Sequence, residues 1–216
     1  MSDLVIVLGD RGSGKTLSAL RRMTIRKKQG ALAYTNFPVS NDIPHMLLKP
    51  EHFIVSTEIQ RARSTKTEKN VNWHFWKKVM QRHEKSKQPF DVYIDEAHNV
   101  ISSRSAMSKE NQLYSRWVSQ LRKILGEHHN NSCCIISQTL RKIDINFRDM
   151  ADYLTVCNKY KLKGAGTFHT QHTWESRHLK LAVDHYLEGA KPHKYDAFFG
   201  QPYYKLYDTR YVVDFE

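Results

Sequence analysis

DLVIVLGDRGSGKT, residues 3–16, is the stretch that decides the fold. Residues 3–8 are almost wholly apolar, which is typical of a buried parallel strand, and residues 9–16 satisfy the pattern G-x-x-x-x-G-K-[S/T] in full. Apolar residues then recur at helical spacing through residues 16–28. A strand, a glycine-rich turn and a helix in this order predict a loop whose backbone N–H groups, backed by the positive end of the helix, cradle a phosphate.

The phosphate loop predicts ATP and Mg²⁺ as cofactors. Lys15 is expected to reach the β- and γ-phosphate oxygens as a point charge, and the Thr16 hydroxyl is expected to coordinate magnesium. The position between strand and helix disfavours the alternative of a glycine-rich turn that binds nothing. The predicted nucleotide contacts are Gly9, Asp10, Arg11, Gly12, Ser13, Gly14, Lys15, Thr16 and Leu17.

A second motif, FDVYIDEAH at residues 90–98, is an apolar strand that ends in two adjacent acids. Because ligands of open α/β sheets bind at the carboxyl ends of the strands, we expect Asp95 beside the phosphate loop, binding magnesium directly or through water. Glu96 would orient and polarise the attacking water. The pair favours hydrolysis over transfer to a second substrate. The alternative, a pair of exposed turn carboxylates, is disfavoured because the acids directly follow a long apolar run.

A possible third element of the site is Gln138 in Ser137-Gln138-Thr139, which follows the apolar run CCII. At the end of a neighbouring strand its amide would contact the γ-phosphate or the attacking water. A glutamine after a strand is weak support alone, and it gains weight from the two preceding motifs.

Alternation of strands and helices predicts one α/β domain over residues 1–216, a mostly parallel sheet with helices on both faces. Residues 1–157 would be the ATPase core, and residues 158–216 a C-terminal extension of uncertain structure. The expected strands are residues 3–8, 31–35, 52–55, 90–94, 132–137 and 153–156, with a strand or hairpin at 167–174; the expected helices are residues 16–28, 73–83 and 109–127; and the expected polar loops are residues 61–70 and 102–108.

Charge and hydropathy limit the partners and the location. The net charge of +12 favours a polyanionic partner, with nucleic acid ahead of an anionic membrane surface or a simple gain in solubility. Residues 61–70 are a candidate nucleic-acid contact or an ordinary solvated loop. No apolar run is long enough for a membrane helix and the start lacks a secretory signal, so we expect a cytoplasmic protein without an integral membrane segment.

Cysteine and histidine usage gives no metal-site pattern. Cys133, Cys134 and Cys157 are odd in number and unsuited to a spaced ligand set, so we expect reduced core residues. The pairs His128–His129 and His169–His172 match no common metal spacing and are expected to be solvated surface side chains.

The three motifs together resemble the additional-strand catalytic-glutamate ATPases, in particular the HerA/FtsK superfamily of DNA pumps, over residues 1 to about 157. Finer matches resemble the Zot-like proteins of filamentous phages and the small genome-packaging ATPases of viruses. These are Tyr34-Thr35-Asn36, the segment YIDEAHN at residues 93–99, SQTLRKID at residues 137–144, and Asn146-Phe147-Arg148.

The resemblance implies a RecA-like P-loop fold and a homo-oligomeric ring with ATP between neighbours and an arginine donated across the interface. Arg122 fits the position of that arginine, and Arg148 is the second choice. It also implies a motor that moves double-stranded DNA into a viral capsid, with a capsid or other virion protein as a possible partner. The alternative is a Zot-like assembly ATPase that drives virion extrusion.

The choice between these two functions depends on the segment after the ATPase core. Zot-like assembly proteins typically carry a membrane helix there, and this sequence shows none, which favours packaging. A helicase is disfavoured because a second RecA-like domain and later helicase motifs are missing. A metabolic kinase shares the phosphate loop but does not explain Glu96 beside Asp95.

Overall fold

The computed structural model describes residues 3–61, 64–99, 108–126, 130–164, 166–179, 187 and 190–207 of the 216-residue chain. The strands are β1 (Asp3–Leu8), β2 (Leu32–Thr35), β3 (His45–Leu47), β4 (Ile54–Arg61), β5 (Ser64–Val71), β6 (Phe90–Ile94), β7 (Ser132–Ile136), β8 (Tyr153–Leu162), β9 (Gly166–Glu175) and β10 (Lys194–Phe199). The helices are α1 (Lys15–Lys27), α2 (Pro50–Phe53), α3 (Trp73–Ser86), α4 (Lys109–Ser119), α5 (Leu121–Leu125), α6 (Ile145–Met150) and α7 (Gln201–Tyr204).

The main sheet has the strand order β10-β9-β8-β1-β7-β6-β2-β3 within the described part of the chain. The six strands from β8 to β3 pair in parallel, and β9 and β10 add to the β8 edge as antiparallel strands. One strand, β7, therefore lies between β1, which leads into the phosphate loop, and β6, which leads into the acidic pair. Because these strands are parallel, both motifs emerge at the same edge, the carboxyl edge.

Helices cover both faces of the sheet, as the sequence predicts. On one face, β1 contributes Val5 and Val7 to a core shared with Leu20 and Met23 of α1. On the other face, alternate residues of the same strands pack against α3, α4 and α5 through a larger core that contains Trp76 and Trp117. The central strands are buried on both sides, which explains why their sequences are continuous apolar runs without alternation.

A buried ion pair joins α1 to the amino edge of the sheet. Asp91, at the start of β6, is only 1% exposed and accepts a hydrogen bond from Arg26 Nε at 2.7 Å. Its other carboxylate oxygen accepts from the backbone N–H and the hydroxyl of Ser132, at 2.8 and 2.9 Å. The last turn of α1 is thereby fixed to the starts of β6 and β7.

The predicted polar loop at residues 61–70 is wrong, because β4 and β5 form an antiparallel hairpin over residues 54–71. The predicted strand at residues 52–55 is also misplaced, since α2 ends at Phe53 and β4 begins at Ile54. Most hairpin residues with described side chains are exposed, so an apolar alternation that would have indicated strands is missing.

The predicted helix over residues 109–127 is divided in two at Gln120, whose φ of −99° and ψ of 3° separate α4 from α5. Its apolar stripe is core, as predicted: Leu113, Trp117, Leu121 and Leu125 are all buried. The predicted loop at residues 102–108 and the pair His128–His129 lie outside the described residues, except for Ser108, whose side chain accepts the Asn111 N–H at the start of α4.

Toward the C-terminus, the strand expected at residues 167–174 is confirmed as β9. The strand expected at residues 153–156 is longer than predicted, because β8 continues to Leu162, and the proposed boundary at residue 157 falls inside it. Cys133, Cys134 and Cys157 are buried thiols, as predicted. None of the helices within the described ranges combines the length and apolar character needed to cross a bilayer.

Candidate nucleotide-binding and hydrolysis site

The phosphate loop connects β1 to α1 directly. At two of its glycines, Gly9 and Gly14, a residue with a Cβ would be strained. Gly9 has a φ of 151°, and a Cβ there would lie 2.5 Å from the Cys157 carbonyl oxygen of β8. Gly14, with a φ of 98°, precedes the first residue of α1, and no side chain caps this helix. The first turn of α1 therefore presents backbone amides to the carboxyl edge, which suits an anion.

Lys15 folds back over the loop that precedes it. Its Nζ donates to the carbonyl oxygens of Gly9 at 2.8 Å and Asp10 at 3.0 Å, and the residue is buried. The ammonium group thus lies within the ring of the loop, where a phosphate oxygen would compete with these carbonyls. This is where the sequence analysis expects a β- and γ-phosphate contact.

Thr16 and Asp95 meet across the site. The Thr16 hydroxyl donates to Asp95 Oδ2 at 2.7 Å, and Asp95 is 3% exposed at the end of β6. Burial raises the pKa of Asp95, while the hydrogen bonds from Thr16 and from the Glu96 N–H act in the opposite direction. A hydroxyl and a buried carboxylate in contact are two hard oxygen donors, so the pair fits Mg²⁺, which binds through few protein oxygens together with phosphate oxygens and waters.

Asn36, which follows β2, holds the backbone of Asp95 at two points. Its Oδ1 accepts the Asp95 N–H at 2.7 Å, and its Nδ2 donates to the Asp95 carbonyl oxygen at 2.9 Å. No local sequence motif points to Asn36 as a site residue, although it is the polar residue that directly follows a buried strand. The pairing of β2 with β6 gives it this role, and that pairing is not readable from a local motif.

Glu96 adopts the left-handed region with a φ of 48°, which is unusual for a residue with a Cβ. Its N–H donates to Asp95 Oδ1 at 2.8 Å, and the residue is half-buried. This sharp turn directs the chain away from the strand axis immediately after Asp95. The adjacent carboxylates are thereby given different surroundings, one buried against Thr16 and one closer to solvent.

Gln138 lies where the sequence analysis expects it, two residues beyond β7 at the carboxyl edge. The preceding Ser137 donates its N–H to the Val7 carbonyl oxygen at 2.9 Å, which attaches this segment to the end of the phosphate-loop strand. Gln138 itself is half-exposed. The geometry brings it to the edge shared by Lys15, Thr16 and Asp95.

His169 of β9 is a further contact of the phosphate loop, and the expectation of a solvated His169 is wrong. It is 2% exposed, and its Nδ1 lies 2.8 Å from the Ser13 carbonyl oxygen, so Nδ1 carries the proton. The imidazole stacks on Phe198 and fits against Gly14, where a Cβ would lie 2.2 Å from Nδ1. No sequence signal separates this histidine from the half-exposed His172 three residues later.

Of the two candidate trans arginines, Arg122 lies away from these groups in the chain fold. Its side chain in α5 is 75% exposed and forms an ion pair at 2.7 Å with Asp152. Asp152 comes just before β8 begins, so this ion pair lies at the amino edge. Arg148 lies in the last turn of α6, which also precedes β8.

Comparison with known proteins agrees with this architecture. The family model for zonular occludens toxin (Zot) matches residues 3–195. The N-terminal domain of zonular occludens toxin from Neisseria meningitidis is 19% identical, with 96% of this chain and 100% of that chain covered and a TM-score of 0.52. The genome packaging NTPase of Sulfolobus turreted icosahedral virus 2, in complex with ATP-gammaS, is 12% identical over 72% of this chain and 74% of that chain, with a TM-score of 0.45. No curated protein sequence matches the chain. With a P-loop NTPase fold and a family match over nearly its whole length, the chain belongs to the Zot family.

Proposed function

We propose that this chain is an ATPase that couples ATP hydrolysis to the movement of DNA, with viral genome packaging as the leading role. The proposal of hydrolysis rests on the contact between Thr16 and the buried Asp95. Directly after Asp95, Glu96 turns out of the strand direction. Lys15 completes this group from within the phosphate loop.

Each residue has a distinct role in this proposal. Lys15 exchanges its loop carbonyls for phosphate oxygens, and Thr16 and Asp95 hold the magnesium ion. A Mg²⁺ ion held by Thr16 and Asp95 would supply positive charge that offsets the negative charge developing during phosphoryl transfer. Glu96 accepts a proton from a water that it orients, and Gln138 holds that water or the γ-phosphate. The position of β7 between β1 and β6 supports the proposed place in the additional-strand class and the HerA/FtsK superfamily.

The coupling to DNA rests on charge and on the resemblance. A net charge of +12 attracts a phosphate backbone without reading its sequence. Double-stranded DNA, a homo-oligomeric ring and a capsid or other virion protein are the proposed partners, and the cytoplasm of the host cell is the proposed location. An arginine from a neighbouring chain, Arg122 or Arg148, would complete each site. Arg122 is exposed and lies at the edge opposite its own phosphate loop, which supports a role toward another chain rather than its own.

Membership of the Zot family favours a second candidate, an assembly ATPase that drives virion extrusion. In that case the ATPase would respond to a coat or membrane protein of the virion, and DNA would have no effect on turnover. The two candidates share the same hydrolytic site and differ in the partner that stimulates it.

The test is the rate of ATP hydrolysis of the wild type and of Glu96→Gln, each with and without duplex DNA at low salt. Removal of the proton acceptor is expected to lower kcat by about 10²–10⁴-fold while ATP still binds, and DNA should stimulate the wild type. Glu84→Gln, an exposed glutamate of α3, is the matched control and should hydrolyse ATP normally. Intact turnover in Glu96→Gln would refute the assigned mechanism. A wild type that hydrolyses ATP but is indifferent to duplex and single strands would refute the coupling to DNA.

A further inference from the structure

A row of three aromatic side chains crosses the antiparallel edge of the sheet. Tyr160 of β8 pairs in register with Phe168 of β9, which pairs in register with Phe199 of β10. Directly paired residues point to the same face, so the three rings form one line, here called the aromatic row. Tyr160 is 51% exposed and Phe199 46% exposed, and the rings of Phe168 and Phe199 lie 5.6 Å apart.

The segment that carries this row is basic. Residues 158–168, NKYKLKGAGTF, contain three lysines and no acidic residue. Strand alternation places Lys159 and Lys161 on the face opposite Tyr160, and Lys163 lies in the turn between β8 and β9; all three are exposed. Lys163 therefore brings positive charge to the turn beside the row, and no carboxylate in this segment offsets it.

The row lies close to the phosphate loop. Pairing of β8 with β1 ends at Val156 with Leu8, so the rest of β8 extends beyond the carboxyl edge, alongside the loop that starts at Gly9. On β9, Phe168 in the row is followed by His169, which contacts the Ser13 carbonyl oxygen from the opposite face. A ligand on the row is thus one residue away from a contact of the nucleotide site.

We propose that the aromatic row binds single-stranded nucleic acid, with unpaired bases stacked on Tyr160, Phe168 and Phe199 and the phosphate backbone attracted by Lys163 in the adjoining turn. Because the Phe168 and Phe199 rings are inclined at 62° to each other, bases would stack chiefly on the exposed faces of Tyr160 and Phe199, with Phe168 between them. A duplex hides the faces of its bases within its own stack, so this surface fits unpaired bases better than a duplex. A second copy of the chain seated row to row fits worse, because the lysines of the two segments would then lie close together.

This inference adds to the proposed function, because a motor that moves double-stranded DNA would also contact unpaired bases near its nucleotide site. The proposed function explains why such a site would be useful. The binding experiment does not depend on that function, because single-strand binding requires no ATP. The Lys15→Ala variant, in which hydrolysis is removed, should bind single strands as the wild type does. Loss of hydrolysis and loss of strand binding are therefore separable.

The experiment is the fluorescence anisotropy of labelled oligothymidine, oligouridine and a duplex of the same length, titrated with the full chain without nucleotide. Tyr160→Ala and Phe199→Ala should each weaken oligothymidine binding by about fivefold or more, the lower end for one lost stacking contact, and leave duplex binding nearly unchanged. Tyr160→Phe should retain the affinity. Lys163→Gln should weaken the binding of every nucleic acid and reduce the single-strand salt slope by about 0.7.

Tyr195→Ala is the matched control, because Tyr195 is an exposed tyrosine of β10 outside the aromatic row. If Tyr160→Ala lowers the melting temperature strongly, Tyr160→Leu replaces it, since leucine keeps apolar volume and removes the ring. Equal weakening by Tyr195→Ala, equal weakening for the duplex, or no weakening at all would each overturn the proposal. So would row variants that change the sedimentation coefficient while oligonucleotide affinity stays intact, because a second copy would then cover the row. Comparable affinity for oligouridine supports a general single-strand site, and preference for oligothymidine supports a DNA site.

Discussion

Replacing Asn36 by alanine should destabilise the chain and impair hydrolysis more than ATP binding. The substitution removes both hydrogen bonds that hold Asp95, and leaves a buried backbone N–H and carbonyl without them. Each unsatisfied group costs about 1–3 kcal/mol, so the free energy of unfolding should fall by about 2–6 kcal/mol. For a chain of this size, a loss of about 3 kcal/mol lowers the melting temperature by about 6–12 °C.

The catalytic effect follows from the same contacts. Without Asn36, the backbone of Asp95 and Glu96 is less well fixed, while the phosphate loop keeps its own geometry, so kcat should fall and the KM for ATP should change little. Thermal unfolding and steady-state ATPase assays measure the two effects. Asn41→Ala, at an exposed position in the loop after β2, is the control and should shift stability by no more than about 0.5 kcal/mol. If Asn36→Ala unfolds and hydrolyses like Asn41→Ala, the two-point contact does not support the site.

Three further changes test the packing around the site. Gly14→Ala should abolish tight nucleotide binding in a filter or calorimetric assay. Adding His169→Ala should recover only part of the nucleotide affinity, because the clash is removed but the positive φ remains strained. Full recovery of the affinity would show that φ is unimportant. Arg26→Met should lower the free energy of unfolding, measured in urea, by about 3–5 kcal/mol, because Asp91 stays buried without its counter-ion. Arg122→Met, at an exposed ion pair, should lower it by about 1 kcal/mol or less. Equal losses for the two variants would contradict this difference. Burial raises the pKa of Cys157 from 9.0 to about 11, so its stabilising contribution is complete below pH 9 and declines as pH rises toward 11. Relative to Cys157→Ala, the wild type should therefore lose about 1 kcal/mol between pH 9 and 10, and parallel stability curves would refute the shift.

The parts of the site that the sequence predicts are those carried by contiguous residues. The phosphate loop and the strand ending at Asp95 are each recognisable because strand, turn and functional side chain follow one another within a few positions. The same locality predicts β7 and the position of Gln138 after it. Roles for these residues in hydrolysis remain predictions, which the substitutions above test.

Contacts between distant segments could not be predicted in this way. His169 and Ser13 are separated by 156 positions, and their contact depends on β8 and β9 extending past the carboxyl edge. Asn36 depends on β2 being the neighbour of β6. The β4–β5 hairpin was not predicted for another reason. A largely exposed strand pair has few apolar residues, so its sequence shows little alternation of apolar and polar positions.

The two links between α1 and β6 have a mechanical consequence. Thr16 is joined to Asp95 at the carboxyl edge, and Arg26 is joined to Asp91 at the amino edge. Helix α1, about 20 Å long, and strand β6, about 16 Å long, are thus joined by side-chain contacts at both ends. This double attachment resists hinging of α1 away from β6. In the proposed ATPase, motion would therefore leave through parts attached at one end, such as the overhanging strands β8 and β9, which contact the phosphate loop through His169.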